Sequence, residues 1–286
     1  MTSVSTLQRA VSVTSGIATK YLVPMGDGIL AEVTRVERPD KTIVCYSTQV
    51  GCSIGCAFCA SGRGNIRGNL SAGQMSGLIE EALRGHDRDV VVLLSAMGEG
   101  EPSQNPIEVA KVMGSYGRGY RHAVSTSGPS PRLVERLLSY LEDCGVPVKL
   151  QYSLHTAVPS MRRAIMPNAL AESGEILPIL AVWPDVELNV VLWNAVNDSV
   201  ADAEALADLL DRNSGPSLWR IKLNRANPVQ GGLRPALPGA VQDWAATVIK
   251  RGYRVEAYAT DGADIQAACG QLRWKGESEA AERRAR

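Results

Sequence analysis

The sequence predicts an α/β protein built as a partial, TIM-like (β/α)6 barrel with a small N-terminal β-extension. Short β-branched runs alternate with longer helical stretches almost to the end of the 286 residues. Such alternation implies parallel strands joined by right-handed crossovers. Polar and reactive residues gather just after the predicted strands, at what would be the C-terminal rim of a parallel barrel, where ligands and chemistry sit. Six βα units rather than eight leave the barrel open on one side.

Taken in order, residues 1–41 hold "GIATKYLVPMGDGILAEV", two strand-like runs around the turn signal Gly26-Asp27-Gly28, and predict a hairpin extension. Residues 42–274 form the barrel. Its strands are expected near Thr42–Ser47, Val90–Ser95, His122–Ser125, Lys149–Leu154, Glu187–Leu192, Leu218–Asn224 and Arg254–Tyr258. Helices are expected between them at Ser71–Leu83, Pro106–Tyr116, Pro131–Cys144, Glu172–Val182, Val200–Asn213 and Pro238–Lys250. "SPRLVERLLSYL" offers Ser130 as N-cap, Pro131 at the first helical position, and Leu133, Leu137, Leu138 and Leu141 at helical spacing. Acids open "DSVADAEALADLLDR", which suits the helix dipole. The tail from Lys275, "KGESEAAERRAR", is short and charged.

Hydrophobic content of 45% and charge of 21% are those of a globular chain rather than a disordered one. Lys+Arg and Asp+Glu number 30 each, so there is no basic excess of the kind that dedicated nucleic-acid binders use against phosphates. The N-terminus lacks a basic start followed by an apolar run, and no stretch approaches the roughly 18 apolar residues of a membrane helix. No membrane partner is expected, and the cysteines are read as residing in a reducing cytoplasm.

Three of the six cysteines, Cys52, Cys56 and Cys59, fall in "QVGCSIGCAFCASG" together with the chain's single phenylalanine, Phe58. A structural zinc site wants four ligands, commonly as two separated pairs. None of the three histidines is within 25 residues of Cys59. Electron-transfer [4Fe–4S] clusters also normally take four cysteines. Three cysteines leave one iron open, which S-adenosylmethionine (SAM) can occupy through its amino and carboxylate groups. The C-x₃-C-x-aromatic-C spacing resembles the radical SAM superfamily, with Phe58 in the aromatic slot.

The resemblance extends further. "CYSTQVGCSIGCAFCASG", "GEPSQN", "STSG", "SLH", "NP" at 227–228 and "DIQAACGQL" occur in that order, from about Ala18 to Leu272. Together they resemble the RlmN/Cfr family, radical SAM enzymes that methylate adenine carbons of ribosomal RNA, some also acting on tRNA. The resemblance implies a radical-SAM-type barrel, a [4Fe–4S] cluster on Cys52, Cys56 and Cys59, and two SAM per turnover. It implies that Cys269 carries a methyl group from the first SAM, and that a radical generated from the second abstracts a hydrogen from it. The methylene radical then adds to the base, and Cys45, seven residues before Cys52, attacks the sulfur of the resulting bridge. A transient Cys45–Cys269 disulfide and the methylated product result, by the elementary step of disulfide exchange. Glu32, thirteen residues before Cys45, matches the family's proton acceptor. SAM contacts map to Phe58, Gly100, Glu101, Ser125, Ser153, Leu154, His155 and Asn227. An electron donor such as flavodoxin is implied as well. Cys144, mid-helix and outside any motif, reads as a small buried hydrophobe.

Three features depart from ribosomal members. Only 44 residues precede Cys45, so the family's N-terminal accessory domain is expected to be missing. Asp261 stands where a cation is expected, and the net charge is zero. Arg63, Arg67, Arg220, Lys222 and Arg225 are the candidates for a basic rim. The sequence thus also admits the same dithiol chemistry on a nucleotide or small metabolite. A non-catalytic iron–sulfur protein that binds RNA or senses redox state is a third reading.

Overall fold

The computed structural model describes residues 8–14, 16–26, 29–63, 66–86, 90–227, 233–258, 262–265, 267 and 271, and every count given is of those residues. Strands β1 (Gln8–Val11), β2 (Ala18–Gly26), β3 (Ile29–Arg38) and β4 (Lys41–Tyr46) open the chain. A two-stranded ladder, β5 (Gln49–Val50) with β6 (Gly68–Asn69), brackets the cysteine loop. Then follow α1 (Ala72–Leu83), β7 (Val91–Ala96), α2 (Pro106–Tyr116), β8 (Arg121–Thr126), α3 (Pro131–Asp143) and β9 (Val148–Ser153). Helices α4 (Pro159–Ile165) and α5 (Ser173–Leu180) lead to β10 (Val186–Leu192), α6 (Val200–Asp211), β11 (Arg220–Arg225), α7 (Pro238–Lys250) and β12 (Arg254–Tyr258).

All the main strands form one sheet in the order β1-β2-β3-β4-β7-β8-β9-β10-β11-β12. From β4 onward each neighbouring pair is parallel, whereas β1 through β4 pair antiparallel. This is the expected open barrel of six βα units, followed by a last strand at the sheet edge. The N-terminal extension is larger than a hairpin: β1 adds a third strand, and β3 pairs directly with β4, so the extension continues the barrel sheet.

Strand alternation sets the two faces. Ala31, Val33, Val44, Tyr46, Leu94 and Ala96 belong to the main core between sheet and helices, which is completed from the helices by residues such as Leu78, Met113, Leu137 and Leu206. Each buried Val, Leu or Met among them contributes about 1.5–3 kcal/mol relative to exposure. The intervening residues, among them Cys45 and Ser95, face the barrel lumen. Helix starts follow the sequence: Ser130 Oγ accepts from Leu133 N, with Pro131 at the first turn, and Ser71 and Gln74 form a capping box on α1. On α3 it is Val134 that is fully buried, with Leu137, Leu138 and Leu141, while Leu133 is half-buried. Among the described residues no helix is long and apolar enough to cross a membrane.

Candidate active site

The cysteine loop is built by contacts that a local reading of the sequence does not reveal. Cys59 N donates to Cys56 O at 3.0 Å, and Ala57 N to Ile165 O at 2.9 Å. Asn168, just beyond α4, donates from Nδ2 to Ser53 O at 2.7 Å and from its backbone N to Ile54 O at 3.2 Å. From the other side, Ser53 Oγ donates to Gln104 Oε1 at 2.7 Å. Asn105 Nδ2 spans Thr48 O (2.9 Å) and Leu70 O (2.8 Å). The "QN" of "GEPSQN" is therefore a brace for the loop and the strands that bracket it. The loop after β7 also presses on the β4 exit. A Cβ on Gly98 would lie 2.6 Å from Ser47 N, and one on Gly100, where φ is +109°, 2.7 Å from Thr48 Oγ1. Only glycine fits this crossing.

A cavity of about 190 Å³ opens at the rim beside this loop. Cys52, Cys56, Cys59, Phe58, Gly100, Glu101, Ser125, Ser153, His155 and Asn227 all line it. Leu154 does not: its side chain is fully buried in the main core, and its carbonyl accepts from Arg162 Nη1 at 2.9 Å. Sequence reasoning missed several lining residues, notably Met97, Asn189 and Trp193. Trp193 directly follows β10, at the strand-end position where the sequence reading expects ligand contacts, but only polar and reactive residues were sought there. Asn197 is a strut rather than a lining residue: its amide donates to His155 O and Val191 O, both at 2.8 Å.

Burial pushes the Cys52 thiol up to about 12, and it raises Cys56 and Cys59 as well. The thiols also act on one another: Cys59 raises Cys52 and Cys56, and Cys52 raises Cys56. Three buried thiols at one cavity become thiolates together only against a strongly positive group. Among the described residues no three His, Cys, Asp or Glu side chains are arranged to hold a single metal ion. Cys52, Cys56 and Cys59 nonetheless line one cavity, and three cysteine sulfurs are a donor set that fits a [4Fe–4S] cluster with one iron left open.

Phe58 packs against both His155 (ring centroids 5.0 Å, edge-on) and Trp193 (4.6 Å). Phe58 and Trp193 join a second apolar cluster with Ile54, Ile165, Met166 and the stems of Cys52 and Cys56. His155 holds a left-handed backbone (φ +58°) and its Nδ1 accepts from Val191 N at 3.2 Å. Burial, then Arg162, lowers its pKa to about 3, so it is a neutral ring with its proton on Nε2. Glu101 is equally committed. Its Oε1 accepts from Thr126 Oγ1 (2.6 Å) and Ser103 N (3.1 Å), its Oε2 from Ser127 Oγ (2.7 Å) and Ser127 N (2.8 Å). Four donors saturate that carboxylate, leaving its backbone and the loop's shape to face the cavity.

Cys45 lies between Thr34 and Ser95 in register and lines a second, larger cavity of about 1840 Å³ that runs through the lumen to the N-terminal mouth. The two cavities share Met97, Lys222 and Asn224 as walls. Glu32, between core residues Ala31 and Val33, turns to the lumen side and is fully buried. Lys20 Nζ sits 2.9 Å from its Oε1. Burial raises the Glu32 pKa to about 7, with Lys20 pulling the other way. Ser47 Oγ donates to Glu32 O at 2.6 Å. Cys269 and Asp261 lie outside the described residues, as do Pro228 and the charged tail. Of the proposed basic rim, Arg220 instead pairs with Asp185 at the start of β11, the opposite end from the cavity. Cys144 is half-buried at the end of α3, its Sγ donating to Leu141 O at 3.0 Å.

The Radical SAM superfamily model matches residues 46–176, the stretch that carries the cysteine loop and three of the rim loops. A probable dual-specificity RNA methyltransferase RlmN from Thermotoga neapolitana is 30% identical over 282 residues, covering 94% of this chain and 79% of its own. The dual-specificity RNA methyltransferase RlmN of Anaeromyxobacter dehalogenans is 32% identical, covering 96% and 77%. Among solved structures, a radical SAM methyltransferase from Sphaerobacter thermophilus superposes with a TM-score of 0.83 at 30% identity, over 93% of this chain and 80% of that one. With the three-cysteine loop at the rim of an open six-unit barrel, these likenesses place the chain in the RlmN family of radical SAM methyltransferases.

Proposed function

We propose that this enzyme methylates an sp² carbon of an adenine ring in RNA through a methyl-cysteine intermediate. Cys269 is the methyl carrier, Cys45 the resolving thiol and Glu32 the proton acceptor. As a radical SAM methyltransferase the chain works with a [4Fe–4S] cluster and SAM. Cys52, Cys56 and Cys59 would hold the cluster, and when bound the pair supplies the radical chemistry that an unactivated ring carbon requires.

The observation that carries the reading is the relation of the two cavities. The cluster loop and the rim residues Phe58, Gly100, Ser125, Ser153, His155 and Asn227 line one, Cys45 lines the other, and Met97, Lys222 and Asn224 are common walls. A thiol one wall away from the cofactor pocket is suited to a step that follows the radical chemistry. In that step the Cys45 thiolate attacks the sulfur of the carrier–base bridge: the S–S bond forms, the C–S bond breaks, and its electron pair passes to the bridging carbon, which takes up a proton to become the product methyl group. Glu32 takes up the proton lost from the substituted ring carbon, and an external dithiol reduces the disulfide for the next cycle. Neutral His155 and the Phe58–Trp193 pair keep the cofactor pocket apolar on one side. The Ser125 and Ser153 hydroxyls and Asn189 offer hydrogen bonds on the other.

RNA as substrate rests on the relatives' names and on the motif resemblance. A flavodoxin-type electron donor and a cytoplasmic setting belong to the same proposal. The test is Cys45→Ala, incubated anaerobically with reductant, SAM and either RNA or a free adenine nucleotide. The expected outcome is a protein mass increased by one covalently bound RNA fragment. Normal turnover by this variant would remove Cys45 from the mechanism. An adduct with the free nucleotide as fast as with RNA would redirect the proposal to a small-molecule substrate.

A further inference from the structure

Asp264 lies in a single turn of 3₁₀ helix, Ala263–Ile265, a few residues before Cys269. Its carboxylate reaches the turn that follows β1, about 250 residues away in the chain. Oδ1 accepts from Ser12 Oγ at 2.7 Å, and Oδ2 from two successive backbone amides, Val13 N (2.7 Å) and Thr14 N (3.1 Å). Beneath this contact Gly262 (φ +80°) abuts both segments. A Cβ there would come within 2.9 Å of Ala18 Cβ and 3.1 Å of Ala267 Cβ. Ser12, Ala18 and Ala267 are buried at the junction. The segment is also tied to itself, Ala267 N donating to Gly262 O at 2.9 Å. Ala267, two residues before the cysteine, lines the lumen cavity that Cys45 opens on.

The topology gives this junction its meaning. β1 and β12 are the first and last strands of the sheet order and do not pair with each other. The only covalent route from β12 to the "ACGQL" run is through residues 259–267. The link from Asp264 to residues 12–14 therefore ties the element after one sheet edge to the turn beside the other, across the barrel's open side. A carboxylate accepting two consecutive amides and a hydroxyl fixes both position and orientation, which one contact alone would not.

We propose that Asp264 is a positioning residue for the methyl-transfer machinery: it clips the segment leading to Cys269 onto the β1–β2 turn, so that the N-terminal extension sets where the carrier loop begins. This rests on the reading of Cys269 as the carrier. It gives the extension a role in the reaction. Ser12 supplies the side-chain half of the clip, and Gly262 permits the close approach.

The test uses the full chain with Asp264→Ala and Asp264→Asn. In the protein without cofactors, amide hydrogen exchange at Val13, Thr14, Ile265 and Ala267 should quicken about tenfold in the alanine variant, with the amides of β7 to β10 unchanged. In the reconstituted enzyme, 5′-deoxyadenosine should still form, while S-methylation of Cys269 and product per 5′-deoxyadenosine fall about tenfold. Asparagine keeps an acceptor oxygen for the two amides and an NH₂ for the Ser12 hydroxyl. It should recover to within about threefold of the parent, which a role of the charge alone would not allow. The proposal is overturned if the alanine variant exchanges and couples like the parent, or if asparagine is as poor as alanine. Should the alanine variant not accumulate, Ser12→Ala carries the same test, with a loss of about threefold expected and an unchanged protein refuting it. Turnover by Cys269→Ala would refute the carrier reading, and the exchange result is independent of it, so the two failures are distinguishable.

Discussion

Replacing Glu101 by glutamine tests whether the "GEP" acid is a strut. The carboxylate has four donors on its two oxygens, two of them backbone amides, Ser103 N and Ser127 N. Glutamine offers one oxygen. Whichever way the amide turns, its NH₂ faces one of those buried N–H groups. The two hydroxyls, of Thr126 and Ser127, can rotate to accept instead of donate, but a backbone N–H cannot. One charge-assisted hydrogen bond is lost outright, one buried donor is orphaned, and the remaining bonds lose their ionic component. The sum is about 3 kcal/mol. In a chain of 286 residues that is a fall in Tm of about 5 °C. Urea unfolding followed by the fluorescence of the buried Trp193, Trp219 and Trp244 reads it directly. Thr126→Val should cost about 1 kcal/mol alone and be non-additive with Glu101→Gln, because both act on Oε1. A loss under about 0.5 kcal/mol for Glu101→Gln, or strict additivity of the pair, would refute the reasoning.

Three further outcomes follow from the same geometry. Gly98→Ala drives a Cβ to 2.6 Å from Ser47 N and Tyr46 C, backbone that cannot rotate away. A loss of about 3 kcal/mol and poor iron retention are expected, and a chemical melt within error of the parent would contradict the close crossing. The Glu32 carboxyl is raised from 4.5 to about 7 by burial. The folded state therefore binds more protons than the unfolded one between those values, and stability falls as pH rises through that window, by at most about 1.4 kcal/mol per unit. Glu32→Gln should flatten this slope, and an unchanged slope would assign it to other groups. Phe58→Ala removes the ring between His155 and Trp193. About 2 kcal/mol and most of the SAM affinity should go with it, measured by melting and by equilibrium dialysis; unchanged affinity would exclude the ring from the cofactor pocket.

The barrel was legible because its central strands are buried on both faces and so read as continuous β-branched runs. Its helices announce their starts with Ser130-Pro131 and Ser71…Gln74. β1 was not legible: it is a four-residue edge strand whose only outside partner is β2, and nothing in "QRAV" alternates long enough to be seen. α4, seven residues long, was hidden in the rim loop after "SLH". Yet it supplies Arg162, whose guanidinium reaches the carbonyls of Ser127, Ser153 and Leu154 and so binds two rim loops together. At the site, motif spacing located the lining residues but not their jobs. Thr126 and Ser127 are 25 and 26 positions from Glu101, so the saturation of its carboxylate is a tertiary fact. In "SLH" the leucine side chain is core, and the unusual feature is a backbone one, the left-handed turn at His155.

β4 is hydrogen-bonded on both flanks, antiparallel to β3 and parallel to β7, and Cys45 sits within it, opposite Thr34 and Ser95. A thiol anchored this way travels no farther than its own rotamers allow. In the dithiol exchange proposed for it, Cys45 therefore serves as the fixed partner, and the approach falls to the other sulfur.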